Sequence, residues 1–448
     1  MKRTERRAPR PALGATLAPR VRIRRDTVWQ RRYAEHAEQA LADLLSFPRL
    51  RPRAQRAGIE QRLAGLRGRL LASPYYAELL RARGLAPGDL RRLGDLAAFP
   101  LLDRATLDAR QLDLPALDLG SLDARESVFV QSSGSTGDPV SILKDPYDCL
   151  HMWTVLRFFA STLRVPLPRN PRVVLLCSLS NGIEYALPLP LLQDGRLERI
   201  SLARPRAAER LHAANPDVIF SDPAGLHWLS GLRRSPHPRL LLTSAQNFSP
   251  TQRESVRNAI AAPVVNYYAS SDAGPMAWEC ARALGRFHVL VPDVWIESLA
   301  GEIVVTRLRP SVLPLLRFRT GDRGRVVGER CRCGYRGYSM VDFVGRRACW
   351  LRAPTGQRVD AWRLAWLFKH YPLSGFRLTQ TAARRFELQL ASSSSSLSKA
   401  DLDVGDLVRR LRGALRVLGF DSVALRVALV ARLVNRADKP EPFRSLCR

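Results

Sequence analysis

DVIFSDPAGLHWLSGLRRSPHPRLLLTS, residues 217–244, holds two short apolar runs separated by a helical pattern. DVIF at 217–220 and RLLLTS at 239–244 have the length and composition of buried strands, and 224–232 between them reads as a helix. The pattern continues in both directions. RVVLLC at 172–177 lies upstream; a helical stretch at 250–260 and the run PVVNYY at 263–268 lie downstream. Strands alternating with helices predict a mostly parallel sheet, and so an α/β fold. Residues 302–306 and 315–319 then read as strands of a more antiparallel region.

On the N-terminal side, residues 28–71 carry apolar positions at helical spacing, and short helices broken by Gly84, Pro87 and Pro100 follow. Residues 1–27 are basic and proline-rich, a composition that predicts a disordered tail. On the C-terminal side a boundary is expected near 344–347, dividing a large domain (28–344) from a small α+β lid (345–448). The small unit shows strand patterns at 376–380 and 386–390 and a serine-rich turn at 392–396. A helix follows with Leu407, Leu411, Ala414, Leu415 and Leu418 on one face and Gly419 as its stop, then a strand at 423–433. There are no internal repeats.

Apolar residues make up 46% of the 448, enough for a sizeable core. No apolar run reaches the roughly 18 residues of a membrane span. No apolar block follows the basic N-terminus, so a secretory signal is not expected and a cytoplasmic location is. Seven cysteines, an odd number, suit reduced thiols or a metal better than a disulfide framework. The net charge of +30 admits a polyanionic partner, but the arginines are scattered over the whole length, which favours solvated faces. With no nucleic-acid module and no basic–aromatic stripe, a nucleic-acid partner is not expected.

QSSGSTGDP at 131–139 follows the strand-like SVFV. Its glycines would let backbone amides nest around an anion, and Ser132, Ser133, Ser135 and Thr136 would add hydroxyl donors beside Gly134 and Gly137. It lacks the lysine ending of a P-loop, and taken alone it is weak evidence, since many surface turns look like it. Cys280, His288, Cys331 and Cys333 are a candidate zinc set, since thiolates and imidazole are the usual structural ligands. The alternative is buried thiols with a satisfied histidine.

The order of later motifs decides more. NYYASSDAG at 266–274, GEIVVTRLRPSVLPLLRFRTGD at 301–322, FVGRR at 343–347 and RADKP at 436–440 follow one another. Upstream stand YYAELLRARGL and DLAAFPLLDRATL. Together they resemble the phenylacetate–CoA ligase-like branch of the adenylate-forming enzymes, over nearly the whole chain from about residue 70. The resemblance implies a large adenylating domain with mixed sheets flanked by helices and a small mobile α+β domain. It implies that ATP and an aromatic or other small organic acid form an acyl-adenylate. The acyl group would then pass to coenzyme A or to the phosphopantetheine of an acidic acyl carrier protein.

By the same resemblance the 132–137 loop would hold the triphosphate. Asp272, beside Ser271, would help bind Mg²⁺. Tyr268 would lie against adenine, Asp322 would take the ribose hydroxyls, Arg346 would contact the nucleotide, and Lys439 would steady the α-phosphate during adenylation. Structural zinc at Cys280, His288, Cys331 and Cys333 is implied too. Tyr185, Tyr267 and Tyr268 are candidate pocket residues. The chain departs from the pattern at Asp138, where the loop usually has lysine, and at Asp272, where it has glutamate. It departs again at Ala348 and Cys349, which replace paired aspartates, the first of them a hinge. Lys144 would compensate for Asp138. An amine acceptor, or a non-catalytic member of the fold, remains an alternative.

Overall fold

From the N-terminus run helices α1 (Val28–Ser46), α2 (Pro52–Ala72), α3 (Pro74–Ala82) and α4 (Arg104–Ala109), the hairpin β1 (Val128–Gln131) and β2 (Ser141–Lys144), and α5 (Pro146–Thr162). An alternating segment follows: β3 (Arg172–Cys177), β4 (Tyr185–Leu189), β5 (Gly195–Ser201), α6 (Ala207–Ala214), β6 (Val218–Ser221), α7 (Pro223–Ser230), β7 (Leu240–Thr243), α8 (Pro250–Ala259) and β8 (Val264–Ser270). Then come β9 (Gly274–Cys280), β10 (Ala283–Val289), β11 (Val294–Leu299), β12 (Glu302–Arg307), β13 (Phe318–Val327) and β14 (Ser339–Val344). Last are β15 (Trp350–Arg352), β16 (Arg358–Asp360), α9 (Ala365–Phe368), β17 (Leu373–Ala382), β18 (Arg385–Ser392), α10 (Val404–Val417), β19 (Ala424–Val430) and β20 (Phe443–Ser445).

This computed structural model describes residues 28–116, 127–131, 141–177, 184–189, 195–202, 204–245, 248, 250–344, 349–368, 371, 373–392, 403–430 and 443–447. The basic tail, the 132–137 loop, the run 393–396, Arg346 and Lys439 lie outside them.

The large sheet has twelve strands in the order β11-β12-β13-β14-β10-β9-β8-β7-β6-β3-β5-β4. Strands β5, β3, β6, β7 and β8 run parallel, and from β8 through β9 the sheet turns antiparallel. Of these, β3, β6 and β7 read as apolar runs because both faces are covered. Val218, Phe220, Leu240 and Leu242 pack with Val155 and Phe159 of α5, while Ile219 and Leu241 pack with Leu211 of α6, Leu226 of α7 and Val256 of α8. The antiparallel strands close on α2, whose Ile59, Leu63, Leu66 and Leu70 lie on one buried stripe.

The C-terminal residues form a separate four-stranded sheet, β19-β18-β17-β20, with its own core. Leu407, Leu411 and Leu415 of α10 pack there with Leu378 and Leu388, and Gly419, at φ +89°, follows the helix end. Gln380 ties the β15–β16 hairpin to this sheet: it accepts from Arg352 N at 2.9 Å and donates to Arg352 O at 2.7 Å.

One expected strand is displaced. Residues 315–317 are not β-structure; β13 begins at Phe318. Arg317 has φ +48°, which breaks the extended path. Its guanidinium is held by Glu297 at 3.1 and 3.2 Å and by the Phe99 carbonyl at 2.8 Å. Asp322 lies at an irregularity inside β13. Val304 pairs with Arg319 but Glu302 pairs with Arg323, so extra β13 residues bulge opposite Ile303. Gly321, at φ +84°, supplies the conformation this needs.

Candidate functional site

The candidate site is assembled where the sheet changes from parallel to antiparallel. Alternation along β8 sends its two tyrosines opposite ways. Tyr267 enters the core beside Phe159 at 5.9 Å and Phe220 at 6.3 Å between ring centroids, and its hydroxyl bonds Ser244. Tyr268 faces the antiparallel half, with Phe343 at 4.6 Å. Its hydroxyl donates to Asp322 Oδ2 at 2.7 Å, and both side chains are buried. The bulge in β13 is what turns Asp322 toward Tyr268. Asp322 N in turn donates to Thr320 Oγ1 at 3.1 Å, and Thr320 Oγ1 donates to Ile303 O at 2.9 Å, which fixes the bulge.

Asp272 sits in the turn that joins β8 to β9, with half-buried Ser271 before it; it caps no helix. Ala273 N donates to Ser270 Oγ at 2.9 Å inside this turn. The Asp272 carboxylate is 3% exposed as a residue and is paired with Arg104, whose Nη1 lies 3.1 Å from Oδ2 and 3.3 Å from Oδ1. Arg104 is the residue that sequence reasoning missed. Leu102 donates to Arg317 O at 3.1 Å and accepts from Arg319 N at 2.8 Å, stitching this segment along the start of β13. Asp103 then caps α4 by accepting from Thr106 N at 2.7 Å, which aims Arg104 at the turn. The only sequence signal was its place in PLLDRATL.

Thus the structure brings Tyr268 and Asp322 into contact and places Ser271 and Asp272 at the end of the same strand. The loop residues Ser132 to Gly137 lie outside the described residues, but the strands on either side pair with Gln131 opposite Ser141 and Val128 opposite Lys144. Burial lowers the pKa of Lys144, which faces Asp148, Arg307 and Arg309 electrostatically.

At the other end of β9, Cys280, His288, Cys331 and Cys333 converge, with their donor atoms all within 4.8 Å of one another. Cys331 Sγ is 3.7 Å from Cys280 Sγ, and Cys333 Sγ is 3.6 Å from His288 Nε2. The 331–334 turn is held by Cys331 N donating to Tyr335 O at 2.9 Å and Gly334 N donating to Cys331 O at 2.9 Å. Tyr335 stacks on the His288 ring at 4.1 Å. Burial, helped by Arg286, pulls His288 down to about 4, so the imidazole is neutral and free to donate a lone pair. All seven cysteines are free thiols.

No family model and no curated protein matches the chain. Among solved structures, it shares its fold with a coenzyme A ligase known in several catalytic states. That protein is 2-hydroxyisobutyryl-CoA ligase. In its postadenylation state, in complex with R3-HIB-AMP, it is 16% identical to this chain, over 88% of this chain and 90% of its own, with a TM-score of 0.55. In complex with 2-HIB-AMP and CoA in the thioesterification state the values are 17%, 88%, 90% and 0.54. An open conformation with the same ligands gives 16%, 87%, 91% and 0.51. The likeness is one of fold: a large mixed sheet flanked by helices, with a small separate sheet unit.

Proposed function

We propose that this protein is an ATP-dependent acid–thiol ligase of the adenylate-forming class, in its phenylacetate–CoA ligase-like branch. The observation that carries the reading is the Tyr268–Asp322 contact beside the Asp272 turn, on a fold shared with a ligase crystallised with acyl-AMP compounds. In the first step an oxygen of the carboxylic acid attacks the α-phosphorus of ATP, and pyrophosphate leaves. In the second a thiol, from coenzyme A or the phosphopantetheine of an acidic carrier protein, takes the acyl group and AMP leaves. Such chemistry asks for positioning and charge neutralisation rather than a covalent catalyst.

Asp322, whose Oδ2 accepts from Tyr268, would take the ribose hydroxyls. The Tyr268 ring, packed on Phe343, forms a wall for the base. Asp272 fits a Mg²⁺ role, because a hard carboxylate already paired with one cation, Arg104, can be paired with another. Bound there with the phosphates, Mg²⁺ would neutralise their charge. The 132–137 loop, Arg346 and Lys439 would complete the site from the triphosphate side and from a small lid spanning 345–448. With Tyr267 enclosed in the core, Tyr185 and Tyr268 remain as candidate contacts for an aromatic acid.

The Cys280, His288, Cys331 and Cys333 cluster is proposed to hold structural zinc. Zinc–sulfur and zinc–nitrogen bonds of about 2.3 and 2.0 Å give tetrahedral edges of about 3.5–3.8 Å. The observed 3.6 and 3.7 Å separations match that. Among the described residues no helix is long and apolar enough to cross a membrane, and we place the enzyme in the cytoplasm.

Carboxylate-dependent ATP–pyrophosphate exchange over a panel of aromatic, aliphatic and hydroxy acids tests the reading. Exchange with one acid supports it and names the substrate class. No exchange together with no ATP binding overturns it in favour of a non-catalytic member of the fold. With an acid in hand, coenzyme A, carrier protein and amines can be compared as acceptors.

A further inference from the structure

Beneath the Asp272 turn lies a group of buried charges that the proposed chemistry does not use. Arg307, at the end of β12, donates through Nη1 to Asp148 Oδ2 at 3.1 Å, to Ser311 Oγ at 2.5 Å and to Leu313 O at 3.2 Å, and through Nη2 to the Asp272 carbonyl. Arg309 donates through Nη2 to Asp148 Oδ1 at 2.6 Å and through Nη1 to the Ala273 carbonyl at 3.3 Å. One carboxylate on the first turn of α5 therefore bridges two guanidiniums, and each guanidinium holds one carbonyl of the turn.

The arrangement is deeply buried: Arg307 is 1% and Arg309 6% exposed. Burial alone would raise the Asp148 pKa, but Arg307, Arg309, Lys144 and Ser311 outweigh it and hold the group down to about 2. Asp148 is fixed in turn. Its amide donates to Asp145 Oδ1 at 2.8 Å, and Asp145 Oδ2 accepts from Val312 N at 2.6 Å. Gly274, just after the turn, has φ +74°, and a Cβ there would lie 2.9 Å from Arg309 Nη2. Arg309 thus grips the turn and also leaves no room for a side chain at Gly274.

Such a cluster is a poor way to gain stability. Buried ion groups carry a desolvation cost that well-packed apolar residues avoid. Among the described residues, Nε of both Arg307 and Arg309 also lacks a partner. What the cluster does achieve is geometry: the two carbonyls that follow the Asp272 Cα are anchored to α5, which fixes the backbone from which the carboxylate projects.

We infer that Asp148, Arg307 and Arg309 are positioning residues that hold the Asp272 turn so that its carboxylate meets the divalent cation accompanying ATP. This rests on the adenylation reading. Loss of partners that orient a metal-binding carboxylate lowers metal affinity about 10–100-fold in general.

The test measures ATP affinity by calorimetry with Mg²⁺ and again in excess EDTA, for the full chain and for Arg309→Lys. A lysine keeps a cation for Asp148 but cannot also reach the Ala273 carbonyl. The Mg²⁺ enhancement of ATP affinity is expected to fall about tenfold, with the EDTA value within about twofold of wild type. Gly274→Ala, whose methyl would press on Arg309 and strain the same turn, should give the same split and serves if Arg309→Lys fails to fold. A folded variant with undiminished Mg²⁺ enhancement overturns the inference, as does an equal loss in both conditions. A wild type that binds ATP with no Mg²⁺ enhancement overturns the metal role of Asp272 and this inference. A wild type that binds no ATP at all overturns the adenylation reading itself.

Discussion

At its Gly274 end, β9 leaves a turn whose carbonyls are gripped by two buried arginines, whereas at its Cys280 end it delivers a thiol to a cluster of sulfur and nitrogen donors. Both ends bury polar groups against the same sheet. At the first, opposite charges satisfy one another: Asp148 answers Arg307 and Arg309, and Arg104 answers Asp272. At the second, three thiols and a neutral imidazole bring no opposite charges to one another, and burial pushes Cys280 up to about 12. In the proposed zinc site an ion from outside would complete this set. One end is closed by the chain itself and the other would be closed by a metal, so the two should fail differently.

The largest loss of activity is expected where the closed end meets substrate. Asp322→Ala removes the carboxylate that holds Tyr268 and, in the proposed site, the ribose. A charge-assisted hydrogen bond is worth about 1.5–3 kcal/mol, so exchange activity should fall about 10–100-fold or more. Near-normal exchange would remove Asp322 from the site. Lys439→Ala should cut adenylation by a comparable factor while sparing thiol capture of a supplied adenylate; rapid-quench assays separate the steps, and equal loss of both would count against the role given to Lys439.

Next comes stability at the closed end. Asp148→Asn leaves two buried guanidiniums short of their counter-charge, which costs about 3–5 kcal/mol. Its denaturant midpoint should drop equally with and without a zinc chelator. At the open end the chelator itself should act on the wild type, lowering Tm by at least about 5 °C, with Cys331→Ser reproducing the loss. A metal-free wild-type protein of unchanged stability would erase the contrast between the ends. The smallest effect is expected for Tyr268→Phe, which deletes one donor and keeps the ring: about 1 kcal/mol in ATP affinity, read by calorimetry.

Much of this fold is legible locally. The apolar runs of β3, β6, β7 and β8 are continuous because both faces are buried, and α10 shows its stripe because only one face is. The order of NYYASSDAG, RTGD and RADKP carried the functional expectation before any contact was known. Strands β4, β9, β10, β11 and β20 were less legible. β4 has a proline in mid-strand, and β20 is only three residues long. Their pairing comes from neighbours far along the chain rather than from their own pattern.

By itself, then, the sequence determined the alternation that makes an α/β sheet, the separate C-terminal unit, and the residue types from which a nucleotide site and a metal site could be built. Only the tertiary structure decided which of the scattered arginines matter. Arg104 reaches Asp272 across 168 residues, Arg307 and Arg309 reach Asp148 across 159 and 161, and Cys331 reaches Cys280 across 51. An arginine among many has no local signature, because what distinguishes it is the desolvated carboxylate or carbonyl it meets, and that meeting is set by strand order. The bulge that turns Asp322 toward Tyr268 is of the same kind: a mismatch between β12 and β13 that neither strand shows on its own.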